Sequence, residues 1–109
     1  MRRGEIYTAA ARGAYTGKPR PVVIVQDDRF DATASVTVCP LTTNPVEAPL
    51  IRIDVEATPL TGLDEPSRIM VDKVTTMLRA NLRERIGRLP DSDLVRLDQA
   101  LVVFLGLAE

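Results

Sequence analysis

The chain reads as a mainly β protein with a C-terminal α-helix, built as a small, mostly antiparallel barrel or coiled sheet. Three observations predict it. Five or six short runs are rich in β-branched and apolar residues, one C-terminal run repeats its apolar residues every three or four positions, and no strand–helix alternation would build parallel βαβ units. At 109 residues the chain is expected to form one domain over 1–109, without room for a second core.

Glu5 to Ala9 is the first strand candidate, and Ala10 to Gly17 follows as a loop-like run with two glycines. Pro21 to Gln26 is apolar and β-branched almost throughout, the pattern of a central strand covered on both faces. Ser35 to Leu41 alternates apolar and polar residues until Pro40, which interrupts its ladder, and Thr42-Thr43-Asn44-Pro45 ends it. Leu50 to Val55 alternates again with Arg52 and Asp54 on one face, and Thr58 to Ser67 is a long loop. Arg68 to Val74 and the charged Arg83 to Leu89 are further strands, with Thr76 to Ala80 read as a helical turn between them. Asp91 stands as N-cap of a helix whose apolar face is Leu94, Leu97, Leu101, Phe104 and Leu105, stopped by Gly106.

Composition narrows the function. Apolar residues make up 45% and charged residues 27%, which argues against disorder and fibrous repeats. The apolar runs are too short to span a bilayer and the start lacks a signal-peptide segment, so a cytoplasmic location is expected. Histidine is absent and Cys39 is the single cysteine, so the commonest general base and the usual zinc cages are unavailable, and no ligand cluster suggests a cofactor or a metal. Cys39 lies in an apolar strand and is expected to be a packed thiol. Net charge is −1, so the total does not advertise nucleic-acid binding, but only Lys18 and Lys73 are lysines among 14 basic residues. Arginine is the cation suited to bidentate recognition of phosphate.

The most informative local motif is Lys18-Pro19-Arg20-Pro21, which runs straight into the central strand. Each proline fixes its own φ and restricts its predecessor to extended backbone, so Arg20 starts from a stiff base. A guanidinium that stays charged near neutral pH and is rigidly placed can stabilise charge that develops on phosphate oxygens. Such Pro-Arg sequences also occur as ordinary loop chemistry ahead of strands, so these residues alone leave both readings open.

Taken in order, Arg3-Gly4-Glu5-Ile6-Tyr7, then Lys18 through Val25, then Val38-Cys39-Pro40-Leu41-Thr42-Thr43 resemble the MazF/PemK/Kid family of toxins. The similarity continues through Gly62-Leu63, Pro66-Ser67, Val71 to Val74, Ile86-Gly87 and the closing Leu105-Gly106-Leu107. It implies an SH3-like barrel of the CcdB/PemK type and a sequence-specific endoribonuclease toxin of a type II toxin–antitoxin pair, inhibiting translation and growth. It further implies metal-independent cleavage of single-stranded RNA by the ribose 2′-hydroxyl, leaving a 2′,3′-cyclic phosphate and a 5′-hydroxyl.

The resemblance puts the catalytic arginine on Arg20 and the catalytic hydroxyl on Thr42, with Thr43, Lys18 and Lys73 as RNA contacts. Lys73 reads equally as a strand-edge cation that discourages aggregation. Many relatives have an acidic residue, Gln, an apolar residue and Arg where this chain has Asp72-Lys73-Val74-Thr75, so its base selection is expected to differ. No residue is assigned as general base; Glu5, Asp27, Asp64 and Glu65 are the carboxylates to test. The partners implied are single-stranded RNA, a second copy in a homodimer, and a cognate antitoxin whose acidic tail would meet Arg20, Arg79, Arg83 and Arg85. The competing function is that of a CcdB-like toxin, which shares the architecture but poisons DNA gyrase and cleaves nothing.

Overall fold

The computed structural model describes residues 1–10 and 19–107. Within them the strands are β1 (Glu5–Ala9), β2 (Arg20–Ile24), β3 (Ser35–Thr42), β4 (Arg52–Val55), β5 (Ser67–Met70), β6 (Thr75–Leu78) and β7 (Leu82–Arg88), and the helix is α1 (Asp91–Phe104). Every pairing is antiparallel, in the order β4-β5-β3-β2-β1-β7, with β6 also on β3. The sheet coils without closing, so the expected barrel is an open one.

Strand β2 is covered on both faces, as its unbroken apolar run predicts. Val23 joins Cys39, Leu41 and Leu97 in the core beneath α1, while Val22 and Ile24 join Val36, Val38 and Leu82 in a second core on the opposite face. Leu97 is fully buried and anchors the helix, a burial that contributes about 1.5–3 kcal/mol. Arg3 ties the sheet to α1: its Nε donates to the Val25 carbonyl at 2.9 Å and its Nη2 meets Asp98 at 2.5 Å. Cys39 is buried, and desolvation pushes its thiol up to about 12, so it packs as an inert group.

Pro40 does not interrupt the ladder; β3 runs through it to Thr42. Val25 N–H donates to the Thr37 carbonyl, and alternation along the antiparallel pair then puts Val22 and Pro40 in a non-hydrogen-bonded pair. The proline nitrogen therefore faces the other edge, at the point where β3 exchanges β6, paired over Ser35–Val38, for β5, paired over Leu41–Thr42. No donor is needed there.

Four other details differ from the sequence reading. The alternating run at Leu50 forms a strand only from Arg52, because Ala48 to Ile51 make a turn closed by bonds to the Ala48 carbonyl. The strand expected over Arg68 to Val74 stops at Met70 and turns through a short 3-10 segment, Val71–Lys73. The expected helical turn Thr76 to Ala80 is instead strand β6 followed by a 3-10 turn over Arg79–Asn81. Asp91 is not the N-cap. Pro90 takes that position with extended backbone, its carbonyl accepting from Asp93 and Leu94, and Asp91 and Asp93 place negative charge in the first turn.

At its other end α1 closes as expected on Gly106, whose φ is 72°. Gly106 N–H reaches the Val103 carbonyl and Leu107 N–H reaches Val102, the paired bonds of a Schellman motif. Phe104 and Leu105, however, do not reach the core; with Val102, Val103 and Leu107 they leave an exposed apolar helix end.

The break after Met70 carries a half-buried ion pair. Arg52 Nε and Nη2 donate to the two carboxylate oxygens of Asp72 at 3.0 and 3.2 Å. That bidentate contact holds the Asp72 carboxyl below its ordinary value of 3.8. Because the folded value is depressed, the contribution to stability is fully present above about pH 4 and is lost as pH falls through the lowered folded value. Asp72→Asn is expected to lower the melting midpoint at neutral pH and to flatten its decline on acidification, measured by thermal melts from pH 7 to pH 2.5.

Candidate active site

Arg20 opens β2 and Thr42 ends β3, so the turn chemistry and the strand pairing meet at one corner of the sheet. The β2–β3 register pairs Ile24 with Val38, Val23 with Cys39 and Val22 with Pro40. The pairing ends there, and its antiparallel sense leaves Arg20, the first residue of β2, and Thr42, the last residue of β3, at the same end of the strand pair. From the other edge of β3, Arg68 is directly opposite Thr42, and Asp54 is opposite Arg68. One row therefore crosses three strands as Thr42, Arg68 and Asp54, and residues opposite each other share a face.

The guanidiniums of Arg20 and Arg68 differ in their partners. Arg68 Nε donates to Asp54 Oδ1 at 2.7 Å, and its Nη2 lies 3.8 Å from Glu47. Arg20 is exposed and, among the described residues, has no carboxylate within ion-pair distance, whereas eight other arginines do. A stiffly based, unneutralised guanidinium is the arrangement that an anionic ligand can use.

Thr42 is prepared in a second way. Its Oγ1 accepts a hydrogen bond from Asn44 N–H at 3.1 Å, an ST turn that follows the strand end. With the acceptor side engaged, the hydroxyl proton remains free to donate. Thr43 is exposed, and it lines with Arg20 a cleft of about 510 Å³. Thr8, Pro19, Pro21 and Ile86 contribute to its wall, and Gly62 to Glu65 with Ser67 supply a second part of it.

The second wall is positioned by a backbone-to-backbone seam. Arg88 N–H in β7 donates to the Leu60 carbonyl, and a Cβ on Gly87 would lie 2.3 Å from the Thr61 oxygen and 2.4 Å from that of Leu60. A Cβ on Gly62, whose φ is +70°, would lie 1.9 Å from the Ile86 oxygen. Only glycine allows either approach. Thr61 is fully buried, donates to the Glu56 carbonyl at 2.9 Å, and closes the loop onto itself. Ser67 donates to the Glu65 carbonyl at 2.9 Å, which fixes the last residue of the wall.

Asp64 and Glu65 are thus the candidate proton acceptors that share the cleft with Arg20. Glu5 lies at the far end of β1, four residues from the Ala9–Arg20 pair, and is engaged by Arg85 Nε at 2.5 Å and Arg2 N–H at 2.6 Å. Asp27 lies beyond the far end of β2, where the Arg29 N–H and guanidinium hold its carboxyl low. Lys73 is exposed in the 3-10 turn after β5, at the end of that strand away from the Thr42–Arg68 pair, and does not line the cleft. Lys18 lies outside the described residues. Arg79 donates to the Thr33 carbonyl and Arg85 pairs with Glu5, while Arg83 is exposed; none of the three lines the cleft.

Sequence reasoning missed Asn44 and Arg68. The run Thr42-Thr43-Asn44-Pro45 did signal a turn, but not that its amide would fix the hydroxyl. Arg68 carries no local signal, because its partners lie 14 and 24 residues away.

The family described as "PemK-like, MazF-like toxin of type II toxin-antitoxin system" matches residues 2–105. A protein named "Probable endoribonuclease MazF" from Mycolicibacterium smegmatis is 68% identical over 108 residues, covering 99% of each chain. "Endoribonuclease MazF9" of Mycobacterium tuberculosis is 34% identical over 98% of each. Among solved structures, "Mycobacterium tuberculosis toxin MazF-mt6" superposes with a TM-score of 0.81 at 27% identity, covering 96% of this chain and 99% of that one.

Proposed function

The chain belongs to the PemK-like, MazF-like toxins of type II toxin–antitoxin systems and is an endoribonuclease; from that premise we propose that it cuts single-stranded RNA at the Arg20 cleft, using the substrate's own 2′-hydroxyl. The observation that supports this reading is the exposed Arg20 guanidinium, without an ion-pair partner among the described residues, in a cleft it shares with Thr43, the residue after Thr42 at the end of β3.

In this mechanism the 2′-oxygen forms a bond to phosphorus while the bond from phosphorus to the 5′-oxygen breaks. Negative charge gathers on the nonbridging oxygens between the two events. The planar fork of Arg20 and the O–H of Thr42 donate to those oxygens more strongly in the transition state than in the ground state, which lowers the barrier rather than merely binding substrate. The proton of the 2′-hydroxyl passes to the Asp64–Glu65 wall, and the departing 5′-oxygen takes a proton from water. The products are a 2′,3′-cyclic phosphate and a 5′-hydroxyl. Thr43 contacts the RNA beside the scissile phosphate, Lys18 contributes from the approach to β2, and Lys73 meets nucleotides farther along the strand.

The partner on the protein side is the cognate antitoxin of the type II pair. Its acidic segment covers the cleft and neutralises Arg20, with Arg83 as a second cation free of ion pairing among the described residues. A homodimer is supported by the exposed apolar end of α1, since side chains such as Val103, Phe104 and Leu107 gain from burial against a second copy. No helix of the described residues is long and apolar enough to cross a membrane, and the proposed site of action is the cytosol.

The test is incubation with a long single-stranded RNA in excess chelator, followed by end analysis. Discrete fragments with 5′-hydroxyl ends are expected. Fragments that appear only when metal is restored, or that carry 5′-phosphates, would overturn the mechanism.

A further inference from the structure

We infer that Arg68 is a positioning residue for the Thr42 hydroxyl, holding the turn that presents it, and is not an RNA-binding cation. The inference rests on the reading that Thr42 acts at the scissile phosphate.

Four contacts form a chain. Asn44 N–H donates to Thr42 Oγ1 at 3.1 Å, and the Asn44 carbonyl accepts from Arg68 Nη1 at 3.5 Å and from Val46 N–H at 3.0 Å. Arg68 is itself fixed by Asp54 at 2.7 Å, across the β4–β5 pair. The bond from Val46 is local to the turn, so it cannot set where the turn stands relative to the sheet. Arg68 can, because it is the cross-strand neighbour of Thr42 and its guanidinium is braced from β4. Without that brace the Asn44 amide drifts, and the hydroxyl loses the partner that orients it. A misplacement of about 1 Å near reacting atoms can cost a hundredfold in rate.

The same contacts argue against a direct role on phosphate. The Arg68 side chain is only 22% exposed, and it faces Asp54 and Glu47. It lines a groove of about 400 Å³ with Glu56 and Glu65. A guanidinium surrounded by carboxylates has little net field to offer an anion, whereas Arg20 in the neighbouring cleft has no ion-pair partner among the described residues.

The test is a double-mutant cycle read by single-turnover cleavage of single-stranded RNA, with KM, the salt dependence of binding and melting midpoints measured alongside. Arg68→Gln and Arg68→Lys are each expected to lower kcat about tenfold, with KM and the salt slope nearly unchanged. Lysine fails because one ammonium lacks the fork that spans Asp54 and Asn44. The double variant Thr42→Val/Arg68→Gln is expected to be no slower than Thr42→Val alone, since Arg68 acts through that hydroxyl. Full activity in Arg68→Lys, additive losses in the double variant, or a raised KM with a shallower salt slope would overturn the inference while leaving Thr42 in place. If Thr42→Val cuts as fast as the parent, the reading of Thr42 fails and the inference falls with it. Should Arg68→Gln melt below the assay temperature, Asp54→Asn supplies the readout: kcat falls severalfold if Arg68 needs its brace, and an unchanged kcat overturns the proposal.

Discussion

Arg20→Ala is expected to cut RNA at least on the order of a hundredfold more slowly than the parent while melting at nearly the same temperature. A hundredfold corresponds to about 2.7 kcal/mol of transition-state stabilisation. That is the usual scale for removing one preorganised donor aimed at developing charge. The loss should fall mainly on kcat, because in the proposed mechanism the guanidinium acts as charge accumulates on the nonbridging oxygens and not when the RNA first binds. Stability should hardly change. The side chain is exposed and makes no ion pair among the described residues, and surface positions of that kind shift stability by about 0.5 kcal/mol or less. Single-turnover cleavage together with a thermal melt checks both halves. A variant that cuts within a fewfold of the parent would remove Arg20 from the chemistry, and one that unfolds would show a structural role.

The second large effect is expected far from the phosphate, at Gly87. A methyl group there would sit 2.3 Å from one backbone oxygen and 2.4 Å from another, both in the Leu60–Thr61 segment. Backbone cannot rotate aside as a side-chain tip does. The segment must move off β7, breaking the Arg88–Leu60 bond and disturbing fully buried Thr61. Overpacking of this kind costs about 3 kcal/mol. For a domain of this size that lowers the melting midpoint by roughly 10–20 °C. The same displacement carries Gly62 to Glu65 away from the cleft, so Gly87→Ala is also expected to lose cleavage activity at temperatures where it remains folded. Thermal melts and RNA cleavage at a low temperature test the two consequences separately. A variant with parental stability would show that the seam is not tight.

What was legible in the sequence follows from how local each signal is. Val22 to Ile24 announced a strand buried on both faces because both of its side-chain sets are apolar, and the two cores divide it accordingly. Arg20 stood out because prolines flank it, whereas Thr42 was marked only by the family resemblance, the turn after it signalling no more than a strand end. Strand β6 was misread for the opposite reason. It is paired on β3 with Thr75, Thr76 and Leu78 all exposed, so no period of two survives in its sequence. The run from Arg68 to Val74 looked continuous because Val71 is as buried as Ile69, although the chain turns between them and Val74. The row from Thr42 to Asp54 was illegible, since nothing in the sequence fixes which residue of β5 stands opposite Thr42. Asp91 offered a capping side chain, but the carbonyl of Pro90, one residue earlier, already accepts the first helical bonds.

The proposed mechanism turns on the substrate supplying its own nucleophile beside Arg20, and a single deoxy substitution tests that most directly. Once a cut site is mapped, an oligonucleotide lacking only the 2′-hydroxyl of the nucleotide before the scissile phosphate should bind as well as its parent and remain uncut in excess chelator. Cleavage of the deoxy oligonucleotide at the parental rate would show that water or a protein group attacks instead, and would contradict the account at its centre.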